Sequence, residues 1–519
     1  MLKGWKVILF FCFITFLAFL IFNLAAPHQI EGDGVFYYSW LHSAVFDCDF
    51  DFKNQLEHFA TYDTASALVL KYRLTPVGKT PNAYAFGIAL MWLPFFLIGH
   101  FLSLIFQFFN PSFFKPDGYS YFYILMIDFS GWFFGAGAVF LIYKILKKFN
   151  SSTVIPAQAG IQNKNGGLIQ NNLDPRFRGD DEARVFSERA AILTVLAIWL
   201  ATPLIYYQML EPWMSHPASL FLVSVWLYLL VKIWRGEHVN NWLLAAIIFL
   251  LLATRWQNVV FLIGYLPFLW RERKAPTLSA NSGRFAPELA SFPGSAKCSQ
   301  GRIWRLSLRS LLPVATRPPR AGGEFRKKIL FFIIPIIIFA IIQSLLWKNL
   351  YGEYFLTPQG AGFIRPQIHL LYTLFSTNRG LLLWSPILIL ALAGFYPLFK
   401  KTRFWAILSV VIFILAWILN SSLNDLGGGD AFGGRRFIEV LPFLALGLGA
   451  LFDEFKRYRW PVAIIITIFI LWNLVLMENY RQGIIPHTGE FDFLRIDYLE
   501  AVKKDFNNIV IPTKRIPKG

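Results

Sequence analysis

Long apolar runs separated by short polar segments dominate this chain. Nine runs are predicted to be transmembrane helices, at residues 7–26, 119–146, 189–209, 216–234, 329–347, 381–399, 404–421, 437–452 and 460–477. At about 1.5 Å of rise per residue, about 20 apolar residues span the hydrocarbon core of a bilayer. Together with two less regular apolar regions, the pattern predicts an all-α integral membrane protein with about 11 to 12 transmembrane helices.

The flanking charges guide the interpretation of those two regions. Residues 241–270 have basic residues on both sides, which requires an even number of crossings, so we predict two short helices that meet near Arg255. Residues 83–108 are apolar enough to cross, but a crossing would place the lysines that follow residue 143 on the outer side. We therefore predict an interfacial or re-entrant pair of helices broken at Pro94.

Charge and composition support this topology and argue against nucleic acid as a partner. The chain is 56% hydrophobic and carries a net charge of +18. Many of its basic residues lie in loop 271–328 between apolar spans, as the positive-inside rule expects of a cytoplasmic loop. The expected partner is the lipid bilayer, with the N-terminus in the cytoplasm.

The same pattern divides the chain into a membrane domain at 1–477 and an outer C-terminal tail at 478–519. The membrane domain includes a first outer loop at 27–118, which we expect to contain helices. Residues 154–182 lack apolar periodicity and resemble a translated repeat element inserted into a cytoplasmic loop. We expect no chemistry from this insert.

Two carboxylates directly follow the first span, and either could act as a general base. Asp33 is the leading candidate because it lies about seven residues past the span, close to the membrane plane, and Glu31 is the alternative. A loop acid that caps a turn beside Gly32 and Gly34 would give the same pattern.

Three aspartates further along the first loop alternate with other residues. On an extended segment, Asp47, Asp49 and Asp51 would share one face and could hold a divalent cation, Mg²⁺ or Mn²⁺, through oxygen ligands. A solvated strand face explains the alternation equally well.

Several basic and aromatic residues at the outer ends of spans are candidates for substrate binding. The predicted phosphate-binding residues are Arg255, Arg379, Arg435 and Arg436, and the predicted substrate-binding residues are Tyr37, Tyr38 and His216. Arginine recognises phosphate through two parallel hydrogen bonds, and an ionisable residue between membrane segments is a functional candidate by default. The alternatives are arginines that reach from helix ends to water, a histidine that caps its span, and tyrosines of the interface belt.

Five motifs in the chain resemble landmarks of a bacterial family in the GT-C superfamily of membrane glycosyltransferases. They are Gly32-Asp33 with the aspartates up to Asp51, Tyr84 to Pro94, Glu211 to His216, Asn378-Arg379-Gly380, and Gly427 to Arg436. The resemblance implies an inverting transferase that moves a sugar from a polyprenyl-phosphate donor to a cell-envelope acceptor. It also implies a periplasmic active site in the bacterial inner membrane. Gly34 stands where many relatives have Glu, which keeps both Glu31 and Asp33 as candidates for the base.

Two other classes of function fit a polytopic membrane protein with a basic inner face. A transporter or lipid flippase would show inverted repeats and midplane charges, and we find no internal repeat. A polysaccharide polymerase or ligase would use a lipid-diphosphate donor instead of a monophosphate.

Overall fold

The described part of the chain is built from helices. The structure, a computed structural model, describes residues 4–25, 29–72, 74–149, 185–273, 323–356 and 368–500, and no strand occurs within these ranges. The predicted insert at 154–182 lies outside the described residues, as do residues 274–322 of the basic loop and 501–519 of the tail.

Twenty α-helices are described. In chain order they are α1 (Gly4–Ala25), α2 (Asp33–His42), α3 (Lys53–Phe59), α4 (Thr64–Tyr72), α5 (Gly87–Phe106), α6 (Tyr121–Lys148), α7 (Glu188–Leu200), α8 (Leu204–Met209), α9 (Ser215–Trp234), α10 (Asn241–Thr254), α11 (Val259–Leu262), α12 (Leu266–Arg273), α13 (Gly323–Tyr351), α14 (Leu370–Phe375), α15 (Leu381–Trp384), α16 (Ile387–Ala393), α17 (Phe395–Lys401), α18 (Arg403–Ser421), α19 (Leu441–Glu454) and α20 (Arg459–Arg481).

Seven of the described helices are long and apolar enough to cross a membrane. They are α1, α5, α6, α9, α13, α18 and α20. This confirms the all-α, multi-pass membrane class. The total of 11 to 12 crossings stays a prediction, because several predicted spans are divided into shorter helices. The run 189–209 breaks between α7 and α8 at Pro203, and the run 381–399 forms α15, α16 and α17.

The long helices differ in how far they are covered by the rest of the protein. In α9 and α6, 67% and 61% of the most apolar window is buried against other helices, and the two helices pack against each other. In α13 the corresponding share is 6%, although its mean hydropathy of 2.9 is the highest of the seven. A helix with such an uncovered apolar surface needs lipid around it, which supports the bilayer as its environment.

The structure contains the predicted break in the first of these two regions and corrects the predicted break in the second; the two crossings of 241–270 stay a prediction. In the region 241–270, α10 ends at Thr254 and Arg255 is extended, with φ −155° and ψ 121°, before a short 3-10 turn begins. The predicted break near Arg255 is therefore present. The predicted break at Pro94 is wrong, because α5 is one continuous helix that passes through this proline. Membrane helices tolerate an internal proline where neighbouring groups satisfy the freed carbonyl.

Helix α2 anchors the first outer loop to the long helices. Its Tyr38 side chain is fully buried and contacts the rings of Phe59 on α3, Phe96 on α5 and Tyr119. This aromatic packing fixes α2 beside α5. The N-terminal end of α2 is thereby held next to the elements that carry the predicted arginines.

Candidate functional site

Asp33 begins helix α2, and the glycines on either side of it fix its position. Gly32 has φ +57°, in the left-handed region that favours glycine. A Cβ on Gly34 would lie 2.3 Å from Cδ1 of Trp213, so the start of α2 packs directly against the turn before α9. The Asp33 carboxylate lies in the first turn of α2, where the helix dipole favours negative charge.

Both carboxylate oxygens of Asp33 have partners. Oδ1 accepts a hydrogen bond from the Tyr84 hydroxyl at 2.8 Å, and Oδ2 lies 3.1 Å from Nη2 of Arg435. Burial alone would raise the pKa of Asp33, but the positive charge of Arg435 and the Tyr84 hydrogen bond outweigh it, so the pKa is lowered. The lowered pKa favours the ionised form of Asp33, and each of its carboxylate oxygens has one partner.

Arg435 is positioned by the glycine-rich segment that precedes it. This segment, which we call the glycine loop, comprises residues 427–434 and leads into a 3-10 helix at Arg435–Val440. Gly433 has φ +59°, and a Cβ on it would lie 2.6 Å from Cγ of Pro203. The loop can thus pass close to the break between α7 and α8. Its path brings the buried Arg435 side chain to Asp33.

Asp33, Tyr84 and Arg435 form a first cluster, and a second cluster of polar side chains lies at the N-terminal end of α9. Nη1 of Arg255 donates to Oγ of Ser215 at 3.1 Å, and the Tyr37 hydroxyl donates to the same oxygen at 3.2 Å. Oε1 of Glu439 lies 3.0 Å from Nδ1 of His216 and 3.5 Å from Nε of Arg255. The buried carboxylate of Glu439 thus holds both a histidine and an arginine in place.

The two clusters are adjacent because the same elements supply both. Helix α2 carries Asp33 and Tyr37, and the 3-10 helix carries Arg435 and Glu439. In addition, Nη1 of Arg435 contacts Sδ of Met214 at 3.8 Å, and Met214 immediately precedes the Ser215–His216 pair of the second cluster. The predicted residues from four separate parts of the sequence therefore meet in one place.

The four predicted arginines line two cavities that share a wall. Arg379 and Arg435 line the first, Arg255 lines the second, and Arg436 and Asn420 line both. Nη2 of Arg436 also lies 3.0 Å from Oδ2 of Asp425. The cavity walls therefore present several guanidinium groups, as a site for an anionic ligand requires.

Arg379 differs from the other three because its hydrogen bonds go mainly to the main chain. It donates from Nε to the Ala431 carbonyl at 2.7 Å, from Nη2 to the Pro486 carbonyl at 2.9 Å and from Nη1 to the Gly489 carbonyl at 3.3 Å. Its φ of +66° is unusual for a residue with a side chain. These contacts tie the glycine loop to the segment after α20, so Arg379 has a structural role at this site.

Two of the predicted residues lie away from the clusters. Glu31 is exposed, and its pKa is raised by partial burial and by the negative charges of Asp63 and Asp430. The hydroxyl of Tyr38 donates to the Gly118 carbonyl within the aromatic core. The structure therefore does not bring Tyr38 to the cavities, whereas Tyr37 on the same helix contacts Ser215.

The three aspartates predicted to hold a cation are not assembled into a site. The chain is not extended there, because a π-helical turn covers Ser43–Asp47 and Cys48 has φ +56°. The carboxylates accept separate hydrogen bonds: Asp47 from Asn54 and Gln55, Asp49 from Ser43 and the Asp51 amide, and Asp51 from the Thr80 amide. No group of three His, Cys, Asp or Glu side chains within the described residues could hold a metal ion.

Sequence analysis missed the role of two acidic residues near the predicted arginines. Glu439 interrupts an apolar run, and an ionisable residue in such a run was a usable signal. The sequence singles out Glu211 only as part of a motif. It lies in the turn between α8 and α9, where Oε1 accepts a hydrogen bond of 2.6 Å from the Tyr206 hydroxyl. Burial raises the pKa of Glu211 to about 7.

Comparison with protein-family models, with curated proteins and with solved structures gives no match to this chain. The GT-C resemblance therefore rests on the sequence motifs alone. The geometry of the site is the independent observation from which a function can be argued.

Proposed function

We propose that this protein is a membrane glycosyltransferase that transfers a sugar from a polyprenyl-phosphate donor to a cell-envelope acceptor. The observation that carries the proposal is the contact between Asp33 and Arg435 beside cavities lined by Arg255 and Arg436. A transferase of this type needs cations for the departing phosphate and a carboxylate near them for the acceptor's proton.

The arginines suit the leaving group of such a reaction. Negative charge builds on the phosphate as the sugar–phosphate bond breaks, and a guanidinium group held in advance stabilises that charge without reorganisation. Arg435 is held by Asp33, whose negative charge raises the pKa of Arg435 despite its burial. Asp33 thus positions a guanidinium group that lines the first cavity.

The proposed setting is the bacterial inner membrane, with a cytoplasmic N-terminus and a periplasmic active site. A lipid-linked donor would lie with its polyprenyl chain in the bilayer and its phosphate near the outer ends of the helices. The support is that Asp33 begins α2 eight residues after the end of α1, and that His216 lies in the first turn of α9. Helices α1 and α9 are both long and apolar enough to cross a membrane.

The test is sugar transfer by the purified protein in liposomes. Labelled polyprenyl-phosphate hexoses and a bacterial envelope extract serve as donors and acceptors, and Arg435→Gln is compared with Arg495→Gln. The Arg495 side chain is 88% exposed and pairs with Asp492 of its own segment, so it is a matched control. We expect a loss in kcat of about 10²- to 10³-fold for Arg435→Gln and a change below about twofold for the control.

Three results would contradict the proposal. Full activity of the Arg435→Gln variant would remove the ion pair from the mechanism. Transfer from polyprenyl diphosphate only would favour a polymerase or ligase. Movement of the intact lipid across the bilayer, with no bond broken, would favour a flippase.

A further inference from the structure

Glu211 lies at the same site as Asp33 and Arg435. Its turn joins α8 to α9, and two residues of that turn contact the first cluster directly. Trp213 packs against the start of α2 at Gly34, and Met214 contacts Arg435. The turn that carries Glu211 therefore lies beside the pair formed by Asp33 and Arg435.

The two oxygens of Glu211 have different surroundings. Oε1 accepts the Tyr206 hydrogen bond, whereas Oε2 is buried and has no hydrogen-bond partner among the described residues. Tyr206 is itself held by its ring, which stacks on Phe432 of the glycine loop with centroids 4.6 Å apart. The carboxyl group is thus held in place through Oε1, whereas Oε2 can bind a ligand or a proton.

Asp33 is the contrasting carboxylate. Tyr84 donates to Oδ1 and Arg435 contacts Oδ2, so each oxygen of Asp33 already has a partner, unlike Oε2 of Glu211. A carboxylate with a lowered pKa beside an arginine is also a weak base. Where two carboxyl groups of one site have pKa values that are pushed apart, the group with the higher pKa is the better candidate for proton transfer.

We propose that Glu211, through Oε2, is the general base that takes the proton of the acceptor hydroxyl, and that Asp33 positions Arg435. The inference rests on the proposed glycosyl transfer. In that step the hydroxyl oxygen forms a bond to the anomeric carbon, and the hydroxyl proton moves to Oε2 of Glu211. The bond between the anomeric carbon and the phosphate oxygen breaks, and its electron pair goes to the phosphate beside Arg435.

The charged and titratable groups that face Glu211 come from every element packed around it. They are Tyr206 and Tyr207 on α8, Asp33 on α2, Asp430 in the glycine loop, Arg435 on the 3-10 helix and Tyr480 on α20. Burial is the largest influence and raises the pKa of Glu211. The Tyr206 hydrogen bond and Arg435 lower it, and the result is about 7. A base with this pKa is half ionised near neutral pH, where proton transfer is most efficient.

The test is the pH dependence of kcat/KM for sugar transfer. The base must be ionised, so the wild-type rate should rise with pH through a midpoint near 7 and level off above it. Glu211→Gln should lower kcat by about 10²- to 10⁴-fold and remove this rise. Asp33→Asn should lower the rate but keep its rise with pH. Glu211→Asp should retain part of the rate and part of the pH-dependent rise that Glu211→Gln loses. Glu57→Gln, at an exposed carboxylate of the first loop, is the matched control.

A second variant keeps the proposal testable if Glu211→Gln fails to fold. The Tyr206 hydrogen bond favours the ionised form of Glu211, so Tyr206→Phe should move the midpoint of the rise to higher pH. A purely structural role for Glu211 predicts no such movement. The proposal is overturned if the midpoint stays in place in Tyr206→Phe, or if the rise persists in Glu211→Gln and disappears in Asp33→Asn.

The outcomes also separate this inference from the proposed function. If wild-type protein transfers sugar and Asp33 proves to be the base, the function stands and the role given to Glu211 is wrong. If wild-type protein transfers sugar from no polyprenyl-phosphate donor, the function fails and the inference fails with it.

Discussion

The ion pair between Asp33 and Arg435 should contribute measurably to stability as well as to the proposed chemistry. The perturbation is a double-mutant cycle with Asp33→Asn, Arg435→Gln and the combined variant. Asn at position 33 keeps an oxygen that can accept the Tyr84 hydrogen bond. The cycle therefore isolates the charge interaction from the loss of side-chain volume.

The magnitude follows from the geometry of the pair. Two unit charges 3.1 Å apart attract by about 5 kcal/mol at an effective dielectric constant of about 20. The Arg435 side chain is 10% exposed and that of Asp33 is 26% exposed, so partial solvation reduces the interaction. We expect a coupling free energy of about 2–3 kcal/mol. Each single substitution should cost about 3–5 kcal/mol, because it leaves the other charge buried without its partner.

The assay is equilibrium unfolding in mixed detergent micelles, which reports the free energy of unfolding of each variant. The control cycle uses Asp425→Asn and Arg436→Gln. That pair is just as close, at 3.0 Å, but the Asp425 side chain is 46% exposed, so its coupling should stay below about 1 kcal/mol. A coupling below about 1 kcal/mol for Asp33 and Arg435, or equal values for the two cycles, would refute the reasoning.

Three further predictions concern the surroundings of the site. Glu439→Gln should destabilise the protein by about 3–5 kcal/mol in the same unfolding assay, because it removes a buried charge that His216 and Arg255 contact; a loss below about 1 kcal/mol would contradict this. Lysine in Arg379→Lys cannot reproduce the three carbonyl contacts of the arginine. Limited proteolysis should therefore cut the segment after α20 several times faster. An unchanged rate would show that Arg379 does not hold this segment in place. Gly34→Ala should lower stability by about 1–3 kcal/mol because its Cβ would meet Trp213, and a neutral effect on unfolding would show that the turn can move.

Sequence patterns were sufficient for the membrane class and for part of the site. Apolar runs predict long helices because bilayer thickness sets their length, and the described residues include seven such helices. The break at Arg255 was predictable because basic residues flank its region on both sides. The charge argument for residues 83–108 did not determine whether the helix breaks at Pro94, since an internal proline is compatible with either a broken helix or the continuous α5.

Residue type and position singled out several residues that the structure brings together, but not their contacts. Asp33, Arg255 and Arg435 were predicted separately, and their meeting depends on packing between distant segments that no local pattern records. The prediction that the aspartates from Asp47 to Asp51 share one face was wrong for a related reason. Their alternation fits an extended strand, but the local backbone forms a π-helical turn followed by a left-handed residue.

The contacts of Glu211 could not be predicted from local sequence patterns. Its motif was visible, but nothing in the sequence indicates that one of its oxygens lacks a partner or that the turn contacts Arg435. Both facts arise from tertiary packing, as does the raised pKa. The proposal that Glu211 is the base therefore depends on the structure.

The most direct test of the central claim is the fate of a labelled donor given to the purified protein in liposomes. Polyprenyl phosphate carrying a labelled hexose is compared with the corresponding diphosphate in the presence of envelope acceptors. We predict that label moves to the acceptor from the monophosphate donor, with one polyprenyl phosphate released for each sugar transferred. Label that stays on the lipid, or that moves only from the diphosphate, would contradict the account.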